Sequence, residues 1–164
     1  MNERESANPF NSALETGVRA LTLLVEASPK SFDLQKLVYF DYLLVHSADA
    51  GGPASLHPNT PMRNGELLVR RSLIESGLVL MVSRGLAERS LGVDGITYSA
   101  SDEASPFLDC LSSSYSKSLK SRAEWANDQF GYMDDDSLRT FFDNNFERWS
   151  REFQSNSSDV DRFS

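Results

Sequence analysis

A glycine-flanked turn after a run of helix-forming segments is the feature that most restricts the fold of this chain. The turn is Gly92-Val93-Asp94-Gly95, and residues 86–91 and 96–100 lie on either side of it. Glycine and aspartate tolerate the positive φ angles that tight hairpin turns require. The sequence therefore predicts a two-stranded β wing directly after a helix that stops at Arg84 and Gly85.

Three segments before the wing repeat apolar residues at helical spacing. The first spans residues 12–27, and the second follows a cap at Ser31 or Asp33. The third begins at Glu66, and Gly77 is a point where it can break into two helices. Three helices followed by a wing predict a mainly α protein of the winged-helix class, with a helix-turn-helix core, a two-stranded β wing and further C-terminal helices.

Composition and helix caps divide the chain into predicted parts. Residues 48–64 are rich in glycine, proline and small polar residues, which favours a long, irregular but ordered loop. Ser101 is placed to cap a further helix. We predict a flexible N-terminus (1–11), a winged-helix domain (12–112) that contains the 48–64 loop, a C-terminal helical extension (113–154) and a disordered tail (155–164).

Charge limits the partners that the chain can bind. Sixteen basic against 24 acidic residues give a net charge of -8, which opposes nonspecific attraction to DNA. The balance reverses between residues 63 and 89, where five basic residues stand against three acidic ones and every basic residue is an arginine. These arginines are the candidates for contacting DNA or a partner protein: Arg63, Arg70, Arg71, Arg84 and Arg89.

The chain has the features of a cytoplasmic protein. Its single cysteine, Cys110, cannot form an intramolecular disulfide and is expected to be a buried thiol. No apolar run approaches the ~20 residues that a membrane span needs. No secretory signal is apparent at the polar N-terminus. We therefore predict a cytoplasmic location and no membrane partner.

No set of residues in the sequence predicts catalysis. Phosphate-binding loops, paired carboxylates and Ser-His-Asp patterns are all missing, so we predict no enzyme and no cofactor. His46 and His57 with Asp41 and Asp49 have the residue types of a zinc or manganese site, but their spacing is not a known one. We instead expect His46, His57 and Asp41 to order the long loop, with the loop histidine His57 bonded to backbone carbonyls.

An aromatic stripe marks the last predicted helix. A stripe of this kind either packs on its own domain or enters the groove of a partner. We favour partner binding, because the stripe follows the main block of motifs. The residues concerned are Phe141, Phe142, Phe146, Trp149 and Phe153.

Several stretches within residues 14–131 resemble a known family, the middle component of bacterial ABC three-component systems. That family is related to the small subunit of Lamassu-type antiphage defence complexes. The stretches are residues 32–38 (FDLQKLV), 41–47 (DYLLVHS), 55–58 (SLHP), 65–71 (GELLVRR) and 77–86 (GLVLMVSRGL).

The resemblance implies a noncatalytic accessory subunit that bridges an SMC-like ABC ATPase and an effector, often a nuclease. The ATPase chemistry would lie in another chain, and double-stranded DNA would be reached through the complex. The alternative is a winged-helix transcription regulator that contacts DNA through Arg70, Arg71, Arg84 and Arg89. An enzyme that uses His57 ranks below both.

Overall fold

A computed structural model describes the backbone of residues 12–58 and 63–161, and the side chains of residues 12–58, 67–146, 148 and 149. This part of the chain is mainly helical and contains one antiparallel hairpin, as predicted. A short 3-10 helix at Ser47–Ala50 follows α2. The main elements are α1 (Ala13–Ala27), α2 (Leu34–Val45), α3 (Arg63–Ser83), β1 (Ala87–Gly92), β2 (Gly95–Ala100), α4 (Ala104–Asp109), α5 (Ser114–Phe130) and α6 (Asp135–Asp161).

Side-chain caps determine where several helices begin. Ser12 caps α1, and Asp33, one of the two predicted candidates, accepts the Lys36 N–H at 2.7 Å to cap α2. Ser113 caps α5, and Asp134 caps α6. Each of these side chains satisfies a backbone N–H that has no partner within the first turn of its helix.

Gly77 does not break α3, which continues to Ser83. It lies instead against Gly17 of α1, and a Cβ on Gly77 would come within 2.6 Å of the Gly17 backbone nitrogen. The two glycines therefore allow the backbones of α1 and α3 to approach closely, because neither carries a side chain to hold them apart.

The hairpin and the end of α3 have the predicted form. Gly85 adopts a positive φ of 71°, and the following Leu86 N–H donates to the Met81 carbonyl at 3.0 Å. Gly92 faces Gly95 in the strand register, so the turn has two central residues, and Gly95 has a φ of 111°. Positive φ at these positions is the reason that glycine suits them.

Helix α2 lies at the centre of the core, and every residue from 37 to 47 is buried. Helices α1, α3, α5 and α6 all contact it. Helix α5, which we assigned to a C-terminal extension, also packs on α1. Within the described residues no helix combines the length and apolarity of a membrane span.

Two details near the C-terminus differ from our predictions. The α6 backbone is helical through Asp161, where we expected a disordered tail from residue 155. Cys110 is exposed, so the prediction of a buried thiol is wrong. The physical reason is that α4 ends at Asp109, which places Cys110 in the turn before α5. The predicted flexible residues 1–11 lie outside the described part of the chain.

Candidate functional site

A buried cluster of ionised side chains joins the first three helices. Asp41 on α2 accepts a hydrogen bond from Nε of Arg19 on α1 at 2.9 Å. It also accepts one from Nη1 of Arg70 on α3. All three side chains are nearly inaccessible to solvent, at 1–9% exposure. One carboxylate therefore ties together α1, α2 and α3.

The electrostatics of the cluster favour its charged form. Burial raises the pKa of Asp41, but the positive charges of Arg19 and Arg70 outweigh this effect and hold the pKa at about 2. Burial likewise lowers the pKa of Arg19, and the negative charge of Asp41 overcomes it, so that pKa is raised. Opposite charges at hydrogen-bond distance account for both directions.

The structure places Asp41 and Arg70 differently from our predictions. We expected Asp41 to order the loop, but it lies within α2 and pairs with arginines. We expected Arg70 at a DNA or partner surface, but it lies on the inward face of α3, one turn from the buried Ile74. Helical spacing explains the difference, because residues four apart share a face. The Arg70 guanidinium could contact a phosphate only if its ion pair with Asp41 were broken.

The other predicted arginines remain near the surface. Arg71, Arg84 and Arg89 are all exposed. Arg71 donates to the Gln35 side chain at 2.9 Å, which links α3 to the start of α2. The side chain of Arg63 lies outside the described residues. Arg70 is therefore not part of the exposed arginine surface. Among the described side chains, that surface consists of Arg71, Arg84 and Arg89.

His57 connects the long loop to α5. Its Nε2 lies 2.7 Å from the hydroxyl of Tyr115, and the two rings are nearly parallel. The Tyr115 hydroxyl is thus one partner of the His57 ring, which our expectation of a bond to a backbone carbonyl did not include. Burial, followed by the positive charge of Arg19, lowers the pKa of His57 to about 4. His57 is therefore neutral at pH 7.

The loop of residues 47–58 is held first by its own hydrogen bonds. The Ser47 hydroxyl donates to the Pro53 carbonyl at 2.8 Å. The backbone N–H groups of Leu56 and His57 both donate to the Val45 carbonyl at 3.0 Å. These bonds fold the loop back over the C-terminal end of α2, where His46 is buried beside the Tyr42 ring.

Helices α5 and α6 then hold the loop from outside. The Arg122 guanidinium donates to the Ala54 carbonyl at 2.9 and 3.1 Å. The indole Nε1 of Trp149 donates to the Asp49 carbonyl at 2.9 Å. Gly52 lies so close to the Trp125 ring that a Cβ would come within 2.2 Å of it. An irregular segment is thus fixed by contacts from two helices.

The aromatic stripe of α6 packs on α2. The Trp149 ring stacks on Tyr42 at 5.1 Å, and the Phe142 ring stacks on Tyr39 at 4.4 Å. Phe142 and Trp149 are fully buried, Phe141 and Phe146 are half-buried, and the side chain of Phe153 lies outside the described residues. This arrangement differs from our expectation, because partner binding by the buried rings would require α6 to leave α2.

The two histidines and two aspartates with the residue types of a metal site do not converge. The rings of His46 and His57 have centroids 6.4 Å apart, and Asp41 is occupied by two arginines. Among the side chains that the structure describes, no three of His, Cys, Asp or Glu are grouped closely enough to hold a metal ion.

Apolar side chains that the sequence reasoning missed are exposed on two surfaces. On α3 the exposed residues are Leu68, Val69 and Val79, at 76%, 63% and 67%. On the hairpin they are Leu91, Val93 and Ile96, at 83%, 106% and 37%. A helical projection of α3 already separates Leu68 and Val79 from the face of Ile74, so that signal was available in the sequence.

A groove of about 240 Å³ lies between α1, α4 and α5. Val18, Leu108 and Leu119 provide apolar walls, and Glu26 and Lys120 stand at its edge. Burial, followed by the negative charge of Glu124, raises the pKa of Glu26. The groove is small, and its lining combines apolar, polar and charged side chains.

The family model of the ABC-three component (ABC-3C) system Middle Component 2 matches residues 9–152. The chain belongs to this family. No curated protein and no solved structure matches this Middle Component 2 chain. The matched region extends past residue 131, where the resemblance seen in the sequence ended, and includes the aromatic stripe through Trp149.

The family match encloses the features described above. The Asp41 cluster, the 47–58 loop, the hairpin and the outer face of α3 all lie within residues 9–152 of this Middle Component 2 protein. A middle component works with the other components of its ABC three-component system. Surfaces for protein contact are therefore the features of this chain that bear most directly on its role.

Proposed function

We propose that this chain is a noncatalytic accessory subunit that bridges an SMC-like ABC ATPase and a nuclease-type effector in an antiphage defence complex. The observation that carries the proposal is the family match over residues 9–152, because a middle component has other components as partners. The antiphage role is inferred from a relation between this family and the small subunit of Lamassu-type complexes, and the bridging role would place the chain at two protein interfaces.

The order of the elements supports a winged-helix class for this subunit. Three helices precede the hairpin, and Phe32, in the short connection between α1 and α2, pairs with Tyr98 of β2. The hairpin is thereby tied to the helical core at one edge. We assign α1, α2, α3, β1 and β2 to a winged-helix module on this basis.

The outer face of α3 is the surface that we assign to partner binding. Leu68 and Val79 lie eleven positions apart, which is close to three helical turns, so both project from the same side. Exposed serines, Ser72 and Ser76, lie between them. Apolar groups aligned along one exposed helix face are typical of a helix that enters a groove on another protein.

Two observations favour the accessory role over the role of a stand-alone DNA-binding regulator. Arg70 is withdrawn from the surface of α3 by Asp41. The net charge of -8 repels a phosphate backbone. A helix that enters the major groove needs donors on its exposed face. The exposed face of α3 presents the apolar Leu68 and Val79 together with the acidic Glu75, and the exposed guanidinium of Arg71 donates to Gln35.

The experiment is reconstitution of the chain with the ATPase and the effector component of its ABC three-component system. We expect one complex of all three proteins, and a Leu68→Lys/Val79→Lys variant should raise the Kd by roughly 30-fold or more, the effect of losing one interface hot spot. Tyr132→Lys, at an exposed site after α5, is the matched control and should bind like the wild type.

The same preparation tests the alternative. The isolated chain should bind duplex DNA weakly at cell-like salt. Tight DNA binding by the chain alone, lost in Arg84→Ala or Arg89→Ala, would contradict the accessory role and support a regulator.

A further inference from the structure

The two edges of the hairpin differ in whether their backbone groups are occupied. On the β2 edge, the Phe32 N–H donates to the Tyr98 carbonyl at 2.9 Å, and the Tyr98 N–H donates to the Phe32 carbonyl at 2.8 Å. Arg89 of β1 lies opposite Tyr98 in the hairpin register. Because the backbone N–H and C=O of Tyr98 both bond to Phe32, Arg89 and Tyr98 form a pair without backbone hydrogen bonds. The N–H and C=O of Arg89 therefore point away from β2.

The same orientation recurs along β1. Leu91 lies two positions from Arg89, so its backbone groups face the same free edge, whereas Ala87 has the same orientation but is buried. Among the described residues the sheet has only the order β1-β2, and no strand lies beyond β1. All residues of β1 except Ala87 are exposed. A row of open donors and acceptors of this kind is a template for another strand.

We propose that the free edge of β1 binds an extended segment of another component of the ABC three-component system, which adds a strand to the hairpin. This inference rests on the proposed accessory role, because that role supplies the partner chain. It assigns a second interface, separate from the outer face of α3, in which main-chain hydrogen bonds hold the partner and side chains select it.

The side chains of β1 define what the partner segment contains. Arg89 and Leu91 project from the face of the sheet that carries Tyr98, and Glu88 projects from the opposite face. Cross-strand neighbours of opposite charge stabilise a sheet, and apolar neighbours do the same. The segment therefore carries an acidic residue beside Arg89, an apolar residue beside Leu91 and a basic residue beside Glu88.

A second copy of this chain suits the edge poorly. When β1 pairs antiparallel with itself over residues 87–91, Arg89 faces Arg89 of the other copy, and like charges directly opposite destabilise a sheet. Each copy also carries a net charge of -8. The charges on this strand thus disfavour self-pairing and favour a partner with complementary charges.

Two variants of Arg89 separate the contribution of its backbone N–H to partner binding from the contribution of its side chain. Arg89→Pro removes the outward N–H, and Arg89→Ala keeps it, while both lose the guanidinium. Proline is tolerated on an edge strand where the N–H faces away from the neighbouring strand. We expect Arg89→Pro to weaken binding to the partner at least about tenfold more than Arg89→Ala. Equal effects of the two variants would overturn strand addition.

Amide hydrogen exchange of the wild-type chain in the complex provides a test that needs no variant. Strand addition should slow exchange at Arg89 and Leu91 by about tenfold or more, because their N–H groups gain partners. Exchange at Ser90, which faces Thr97 in the bonded register of the hairpin, should change little. This alternation is the signature of an added strand.

Each outcome of the exchange experiment decides one question. A complex that forms without slowed exchange at Arg89 and Leu91 overturns strand addition and leaves the accessory role standing. Failure of the wild type to bind any system component overturns the accessory role itself. Slowed exchange in the chain alone at rising concentration identifies self-pairing, and slowed exchange only with duplex DNA identifies a DNA contact; both contradict the inference.

Discussion

The loop of residues 47–58 and the β1–β2 hairpin are held in opposite ways. The loop has one short 3-10 helix and otherwise no regular structure, yet α5 and α6 bond to its carbonyls and Trp125 packs on Gly52. The hairpin has a regular register, yet most of β1 is exposed. Contact with the rest of the protein, more than regular backbone geometry, therefore decides how much a substitution in a segment lowers the free energy of unfolding. Substitutions in the two regions should therefore have unequal effects.

The largest effect is expected at the buried cluster, because its Arg19 also hydrogen-bonds Tyr115, which contacts His57 of the loop. Asp41→Ala leaves the Arg19 and Arg70 charges buried without their carboxylate, which should lower the free energy of unfolding by about 3–5 kcal/mol. Urea denaturation measures this change. Glu88→Ala on the exposed hairpin is the control and should stay within about 0.5 kcal/mol. Similar losses in both variants would remove the contrast between the regions.

Two glycines allow a matched comparison of the same substitution in each region. Gly52→Ala forces a Cβ into the Trp125 ring and should cost about 1–3 kcal/mol. At Gly92 the nearest described atom to a new Cβ is the Gly95 carbonyl oxygen at 3.9 Å. Gly92→Ala should therefore change stability by less than about 0.5 kcal/mol. Thermal unfolding of the two variants side by side measures the difference, and a reversed order would contradict the packing described for the loop.

The pH dependence of stability sharpens the contrast at His57. Its pKa is about 4 in the folded chain and near the ordinary 6.5 when unfolded. Between these values the unfolded chain binds more protons, so stability falls as the pH falls from 6.5 to 4. The urea midpoint of the wild type should show this fall, and His57→Gln should show less of it. Loss of the Asp41 ion pairs belongs to a separate window, between pH 3.8 and about 2. Equal slopes in both proteins would exclude His57 as the cause.

The smallest effect is expected at the hairpin tip. Leu91→Ser removes an exposed side chain and should change the free energy of unfolding by less than about 0.5 kcal/mol. Chemical denaturation provides the measurement. A loss above about 1 kcal/mol would mean that the tip packs on the body of the protein, contrary to its exposure.

The parts of the fold that depend on local sequence were predictable. Asp33 as a helix cap, Gly85 as a helix end and the turn at Gly92 to Gly95 all follow from backbone preferences of residues within one turn. The hairpin and the helices before it therefore agree with the structure. The start of α3 was placed three residues late, because the ends of helices depend on weak local signals.

The candidate site was less predictable, because its residues are brought together by packing. Arg70 and Arg71 are neighbours in sequence, yet one is buried against Asp41 and the other is exposed. Gly77 permits a close helix contact only because Gly17 meets it. The partner of His57 is 58 positions away at Tyr115. A single sequence does not directly show which residues that are far apart along the chain are in contact in the fold.

The hydrogen bond from Trp149 to the Asp49 carbonyl spans 100 positions of the chain. During synthesis on the ribosome, Asp49 emerges well before Trp149, so this contact waits for almost all of the helices to be translated. Contacts between distant positions also slow folding, since a long loop must close first. A partner that recognises the surface where α6 holds the loop can therefore bind only after Trp149 has been synthesised.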